Sequence, residues 1–574
     1  VGSDIRFNCV RATQKGKDQM KYADIVSTPT PQSKPLNERQ VKNNAGGFVY
    51  EIDKWDRLDR FLILGSDSQT YYQTAHDLTR QNAKVVLECY AEDAARTVAR
   101  IVEISDQGRA PKNDPAIFAL ALGASYQAGD NVFASALAGK TDAVAAATAV
   151  RQLALGALPK VCRTSTHLFQ FVKASKALGR GFGRAFKRAV SNWYADRPVD
   201  VVAYQAIKYR QREGFTHKRL LDMSHSPAKI DPDRQNLYHW IKGKEYNADT
   251  LPAVVRAHLE AMNPETSKVE RQQLIAEYKL PWEALPTECN ADPDVWASML
   301  PHLGLTALIR NLGNMTRVGA IKPLSDVEAK VVARLNDETD LRKSRIHPFA
   351  ILQAMAVYKN GQGLKGSGTW TPSRPVVDAL DNAFYKTFKN VEPTNKRHLL
   401  ALDVSGSMGT SFIGGVLSAR DATAALALVT MNVEPNTHVI GFTAVGDNTY
   451  QGSGNAVSEL SISPRQRLTD AIKTVTGLPF GATDCALPML YAAERNIPVD
   501  VFTVFTDNET WHGNIHPSEA LKQYRKKTGI PAKLVVVGMT STGFSIADPN
   551  DGGCLDIVGF DSNCPALISD FARQ

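Results

Sequence analysis

HLLALDVSGSM, residues 398–408, is the stretch on which the reading of the chain turns. Its first half is a short apolar run, the length of one buried strand and too short for an ordinary helix. It runs straight into Asp403-Val-Ser405-Gly-Ser407, three oxygen-bearing side chains at alternate positions just past a strand end. Similar apolar runs recur at 437–443 (THVIGFT), 499–506 (VDVFTVFT) and 533–539 (KLVVVGM), and helical runs at 416–431, 467–475, 484–495 and 516–528 alternate with them. That alternation predicts a parallel sheet with helices on both faces, an α/β doubly wound domain, whose ligands bind beyond the carboxyl ends of the strands. FTVFTDNET places Asp507 at a matching strand end, and the loop Gly481-Ala-Thr483-Asp484 offers a hydroxyl between the two. Asp403, Ser405, Ser407, Thr483 and Asp507 make an oxygen cage for one hard divalent cation, Mg²⁺ first, with Mn²⁺ or Ca²⁺ as alternatives. Soft ligands are missing from it, which argues against zinc. The plainer alternative is a set of capping Ser and Asp residues that holds no metal.

Upstream the texture differs. Residues 35–360 read almost entirely as helices, at 55–64, 82–103, 115–124, 143–156, 166–178, 181–194, 199–212, 253–262, 268–279, 304–315, 326–337 and 348–359. Short breaks separate them and strand alternation is missing, so helical pairs stacked as a solenoid are expected. The Ala-rich stretch 127–157 reads as an extra helical hairpin, and GQGLKGSGTWTPSRP at 361–375 as a connector. The expected organisation is a polar tail at 1–34, a helical domain at 35–365 and the α/β domain at 366–574.

Composition agrees with two or three globular domains: 574 residues, 43 % apolar and 22 % charged, which excludes a chain disordered throughout. No run of about 18 apolar residues suggests a membrane span. The first residues lack the apolar core of a secretory signal. The seven cysteines form no CxxC pair and are odd in number, as expected of reduced thiols in a cytoplasmic protein.

Charge is distributed unevenly. Residues 160–219 hold fourteen basic and three acidic residues, a balance of +11 against +8 for the whole chain, while 399–574 balances at −6. This predicts a polyanion-binding region joined to a region with another task. In 180–194, Arg180, Arg184, Lys187 and Arg188 fall on one helical face, and Phe182, Phe186, Val190 and Trp193 on another. Tyr204, Lys208 and Arg212 follow at i, i+4 and i+8, then His217, Lys218, Arg219 and His225. A single basic face is usually only solvated. Successive basic edges without interleaved acids point to phosphate, with Lys208 and Arg212 as phosphate contacts and His225 donating to phosphate or stacking on a base.

The region around 403–507 resembles a von Willebrand factor A domain with a metal-ion-dependent adhesion site, whose D-x-S-x-S, later Thr and later Asp are all present. Longer stretches, PLNERQ (35–40), THLFQF (166–171), GRAFKRAVSNWY (183–194), LTALIRNLG (305–313), RIHPF (345–349) and ALDNAFYKTFKNVEPTNKRHLLALDVSGSM (379–408), resemble the Ro ribonucleoprotein autoantigen family, a helical TROVE module followed by such a domain. The resemblance covers about residues 35–574. It implies a ring of HEAT-like repeats that is not an enzyme. It also implies that small noncoding Y RNA binds the outer rim, and that single-stranded 3′ ends of misfolded or ribosomal RNA enter the central hole. The Y RNA contacts of the family match Lys208, Arg212 and His225, and its patch for misfolded RNA matches Arg184, Lys187 and Arg188. The long Ala-rich stretch suggests a bacterial-type relative, in which Y RNA can tether polynucleotide phosphorylase. A partner's carboxylate is expected at the metal. Two other readings compete: a metal-dependent protein-binding module on an inert scaffold, which leaves the +11 segment unexplained, and an enzyme. Against the enzyme, no GxxxxGK[ST] or HExxH motif occurs, and the basic region has no clustered carboxylates.

Overall fold

The structure is a computed structural model. It describes residues 26–65, 83–127, 143–179, 181–226, 231–363, 368–388, 391–410, 412–413, 417–444, 456–478, 481–559 and 561–574. Two compact units divide the chain, one built from residues up to 85 with Phe388 onward, the other from Val86–Thr387.

The N-terminal segment therefore belongs with the C-terminal unit, a division that differs from the boundaries at 34 and 365 read in the sequence. Strands β1 (Gln40–Lys42) and β2 (Phe48–Glu51) form an antiparallel hairpin. The helix Lys54–Leu64 follows, capped by Asp53. Its Arg60 is buried and reaches Asp556 at 2.6 Å. The end of the expected tail is likewise ordered against the sheet unit: Thr30 N donates to Asn514 O at 2.9 Å and Gln32 N to Gly513 O at 3.0 Å.

The second unit is helical, as its apolar periodicity requires. The expected helix at 82–103 is two, Lys84–Glu92 and Ala94–Gln107, because Asp93 turns extended and caps the second by accepting from Arg96 N. The helix Asp114–Ala124 is apolar all round and buried accordingly, against Ala143–Gly156 and Ser165–Ala177. The first arm of the Ala-rich hairpin lies outside the described residues. The helix Val199–Lys208 stops four residues before its expected end, and β3 (Gln211–Arg212) pairs with β4 (Phe215–Thr216) across a two-residue turn. Within this unit the chain returns to its start. His347 Nε2 donates to Arg109 O at 3.0 Å, and Arg345 pairs with Asp106 at 2.9 Å. The expected connector folds back instead of linking: Trp370 stacks on Tyr358 at 6.1 Å, and the helix Arg374–Lys386 continues the helical unit.

The sheet unit is the doubly wound domain expected. Its strands are β5 (His398–Asp403), β8 (Thr437–Phe442), β9 (Val457–Glu459), β10 (Val501–Thr506), β11 (Lys533–Gly538) and β13 (Cys554–Val558), in the order β13-β11-β10-β5-β8-β9. All pairs are parallel except β8 with the edge strand β9. The short pairs β6 (Phe412–Ile413) with β7 (Leu417–Ser418), and β12 (Phe544–Ser545) with β2, lie outside this sheet. Strands β5 and β10 are buried along their whole length, hence their unbroken apolar runs. The chain leaves β5 for β8 on one side and returns to β10 on the other, so the two central strands flank the switch point.

Candidate functional site

Register sets the first site. Leu402 of β5 pairs with Phe505 of β10, so Asp403 and Thr506 end side by side and Asp507 follows at the same edge. Thr506 Oγ1 donates to Asp403 Oδ2 at 2.7 Å, and Ser405 N donates to Asp403 Oδ1 at 2.9 Å. Ser405 Oγ and Ser407 Oγ are 3.2 Å apart. Gly406 N donates to Gly481 O at 3.3 Å, which draws in the loop carrying Thr483. All five expected ligands are buried, and the structure brings Asp403, Ser405, Ser407 and Asp507 together directly, with Thr483 on a loop tied to them.

Burial dominates the electrostatics, and the nearby Arg420 charge offsets it only in part. Burial raises the Asp403 carboxyl above its ordinary range. Burial, and then the neighbouring Asp403 charge, push Asp507 up to about 8. Asp507 Oδ2 is buried without a hydrogen-bond partner. Two acids facing one another behind hydroxyls, with one oxygen unclaimed, fit a hard divalent cation. Among the described residues no cluster of three or more His, Cys, Asp or Glu offers another site.

Several supporting residues escaped sequence reading. Arg420 Nη2 donates to Val404 O at 2.9 Å and Ser405 O at 2.8 Å, holding the D-x-S-x-S turn from behind. The N-terminal segment straps the opposite side. Gln32 is fully buried, donates to Asp484 Oδ1 at 2.8 Å and Ile515 O at 2.9 Å, and accepts from Thr510. It thus joins the Thr483 loop to the Asp507 loop, and any side chain at Gly513 would strike it. Asn44 Nδ2 and Ala45 N clasp Glu509 at 2.7 and 3.0 Å. Only the pairing of distant segments reveals these roles.

The second site is the cationic face of the helical unit. The helix Arg184–Ala195 begins after Phe182, later than expected, and Arg180 lies outside the described residues. Phe186, Val190 and Trp193 are buried, with Phe171 stacked on Phe186 at 5.6 Å. Arg184 and Arg188 are exposed and Lys187 half-buried. The shared helical face of Lys208 and Arg212 is corrected: the helix ends at Lys208, and Arg212 stands exposed on the β3–β4 hairpin. Both still act on the charge of Glu283. His217 is no part of the basic edge. It is buried against Tyr194 (Nδ1 to Oη, 3.0 Å), and burial pushes it down to about 4, so it stays neutral. Lys218 and Arg219 are exposed, and the Arg219 guanidinium lies over Phe215 at 4.9 Å. His225 is exposed in left-handed backbone (φ 52°) at the end of the helix His217–Ser224. Ser224 beside it lines a small hollow with Phe182, Phe186 and Lys187.

With both sites in view, two family models match the chain: the TROVE domain over residues 41–251 and 233–357, and the Ro60 vWA domain over 397–572. The chain belongs to the Ro60 family. It is 41 % identical over 550 residues to the RNA-binding protein RO60 of Deinococcus radiodurans, covering 95 % of this chain and 97 % of that one. It is 35 % identical over 604 residues to the RNA-binding protein RO60 of Caenorhabditis elegans, covering 94 % and 91 %. The crystal structure of the Deinococcus radiodurans RO (RSR) protein aligns with a TM-score of 0.64 at 39 % identity, over 91 % of this chain and 99 % of that one. The six described cysteines form no disulfide with one another. Among the described residues no helix is long and apolar enough to cross a membrane.

Proposed function

We propose that this Ro60-family chain is a noncatalytic RNA-binding protein of the cytoplasm. Y-like small noncoding RNA docks on the outer face of a ring of HEAT-like repeats through Lys208, Arg212 and His225. Misfolded or ribosomal RNA meets Arg184, Lys187 and Arg188 and passes its single-stranded 3′ end into the central cavity, for quality control, processing or decay. Polynucleotide phosphorylase is reached through the bound RNA. The relatives named as RNA-binding proteins support this reading. The observation that carries it is the run of Arg184, Arg188, Arg212 and Lys218, exposed cations that none of the described residues pairs with an acid. A polyanion supplies the missing partner.

Asp403, Ser405, Ser407, Thr483 and Asp507 would hold a divalent cation, Mg²⁺ first. That ion supplies a Lewis-acidic position for a protein partner's carboxylate. Arg420 and Gln32 hold the surrounding turns in place.

The test is filter binding of a Y-like stem-loop RNA at fixed salt. Lys208→Ala/Arg212→Ala should weaken binding by roughly tenfold or more and flatten its salt dependence by about two counterions. Unchanged affinity would reject the assignment.

A further inference from the structure

The β3–β4 hairpin that carries Arg212 is firm at its base and open at its tip. At the base Phe215 is buried, and the following His217 meets Phe169 of the helix Ser165–Ala177 edge to face at 5.1 Å. At the tip a side chain added to Gly214 would meet nothing within 4 Å, so the turn stands in open solvent. An ion pair ties this tip to the same helix. Lys173 Nζ lies 2.6 Å from Glu213 Oε2, with 61 % of the lysine side chain and 32 % of the glutamate side chain exposed.

The acid in this pair is out of keeping with its surroundings. Glu213 is one of three acids in residues 160–219 and directly follows Arg212. Its backbone is left-handed, with φ 55°, a conformation that Gly or Asn adopts at less cost. The bond it makes adds little to stability, because water and salt screen an exposed pair and two long side chains must be held still. Such a pair is easily exchanged. A phosphate oxygen accepts from an ammonium as a carboxylate does. Arg212 beside it donates to Gln211 O of its own strand at 2.8 Å, and no acid among the described residues pairs with it.

We propose that Glu213 stands in for an RNA phosphate in the free protein. A backbone phosphate next to the one on Arg212 displaces the carboxylate and takes Lys173. Lys173 is then a latent RNA contact, and Glu213 its internal competitor. The consequence is selectivity. A stray anion must displace Glu213 unaided, whereas an RNA already anchored on Arg212 presents its next phosphate at high local concentration. The inference rests on the RNA-binding reading above and adds to it one contact and the group that guards it.

The test is a double-mutant cycle, read by filter binding of a Y-like stem-loop RNA across a range of salt. Both side chains lie at the surface, so neither change threatens the fold. Glu213→Gln should tighten binding roughly threefold to fivefold. Lys173→Ala should weaken it and reduce the salt dependence by about one counterion. In the Lys173→Ala background the gain from Glu213→Gln should shrink to less than about twofold, since nothing is left to compete for. A gain that stays as large, or grows, without Lys173 reveals plain repulsion of RNA by Glu213 and overturns the proposal. A salt dependence unmoved by Lys173→Ala overturns it too. Either result leaves RNA binding standing. If wild-type protein binds no RNA at all, the RNA-binding reading falls and takes the proposal with it.

Discussion

Arg184 and Arg188 stand in solvent with no acid among the described residues paired to them, whereas Asp403 and Asp507 are shut away from solvent beside one another. Both arrangements leave charge uncompensated, but they differ in how they meet a ligand. The helical surface keeps its cations hydrated and mobile, so association is long-ranged and screened by salt. The sheet edge has already dehydrated its carboxylates and fixed them with Thr506, Arg420 and the strap through Gln32. We propose that it takes one small ion, an association far less sensitive to salt.

The largest expected effect tests that contrast directly. Raising monovalent salt from about 50 to about 200 mM should weaken Y-like RNA binding by roughly a thousandfold, as for six or more phosphate contacts. Mg²⁺ binding to the same protein, followed by calorimetry, should change little. Equal sensitivity in both would erase the distinction between them.

Acid should act on the helical unit. Unfolded His217 takes a proton near pH 6.5, while the folded residue resists until about 4. Stability is therefore complete above pH 6.5 and falls as the pH drops toward 4, by up to about 3 kcal/mol for this residue. His167, also pushed down to about 4 by burial, falls in the same window. The urea midpoint against pH reads the slope, and His217→Gln should remove part of it. A midpoint that stays level from pH 7 to 4 contradicts a neutral core histidine.

The smallest effect sharpens the other side. Mg²⁺ at about a hundredfold over its dissociation constant should stabilise the sheet unit by about 2.7 kcal/mol, seen as a higher melting point than in EDTA. Asp507→Asn should abolish this response without changing RNA affinity. A variant that still responds to Mg²⁺ would place the cation elsewhere.

The sheet edge was legible because Asp403, Ser405, Ser407 and Asp507 lie close in sequence to strand ends. HLLALD and VFTVFT are apolar runs that only buried strands explain, and a following Asp must then emerge at the carboxyl edge. The cationic surface was legible in amount but less in geometry. Arg212 fell on the i+8 position of a helix, yet Glu213 and Gly214 both adopt positive φ, 55° and 75°, and turn the chain into a hairpin. Gly214 was the available signal, and the regular spacing of Lys208 and Arg212 outweighed it. Gln32 was invisible for a different reason. It matters through segments more than four hundred residues along the chain, and no local periodicity encodes such pairing. The edge strands β9 and β13 were missed because they are short and only partly apolar.

The hairpin of β1 and β2 completes its small sheet with Phe544 and Ser545, nearly five hundred residues later. A ribosome therefore releases this hairpin long before its partner strand exists. The whole helical unit is synthesised while the hairpin waits, so the helices have time to collapse first and the two distant strands are stitched together last. A nascent chain that stalls before β12 is left with an open strand edge for chaperones, or for another copy, to find.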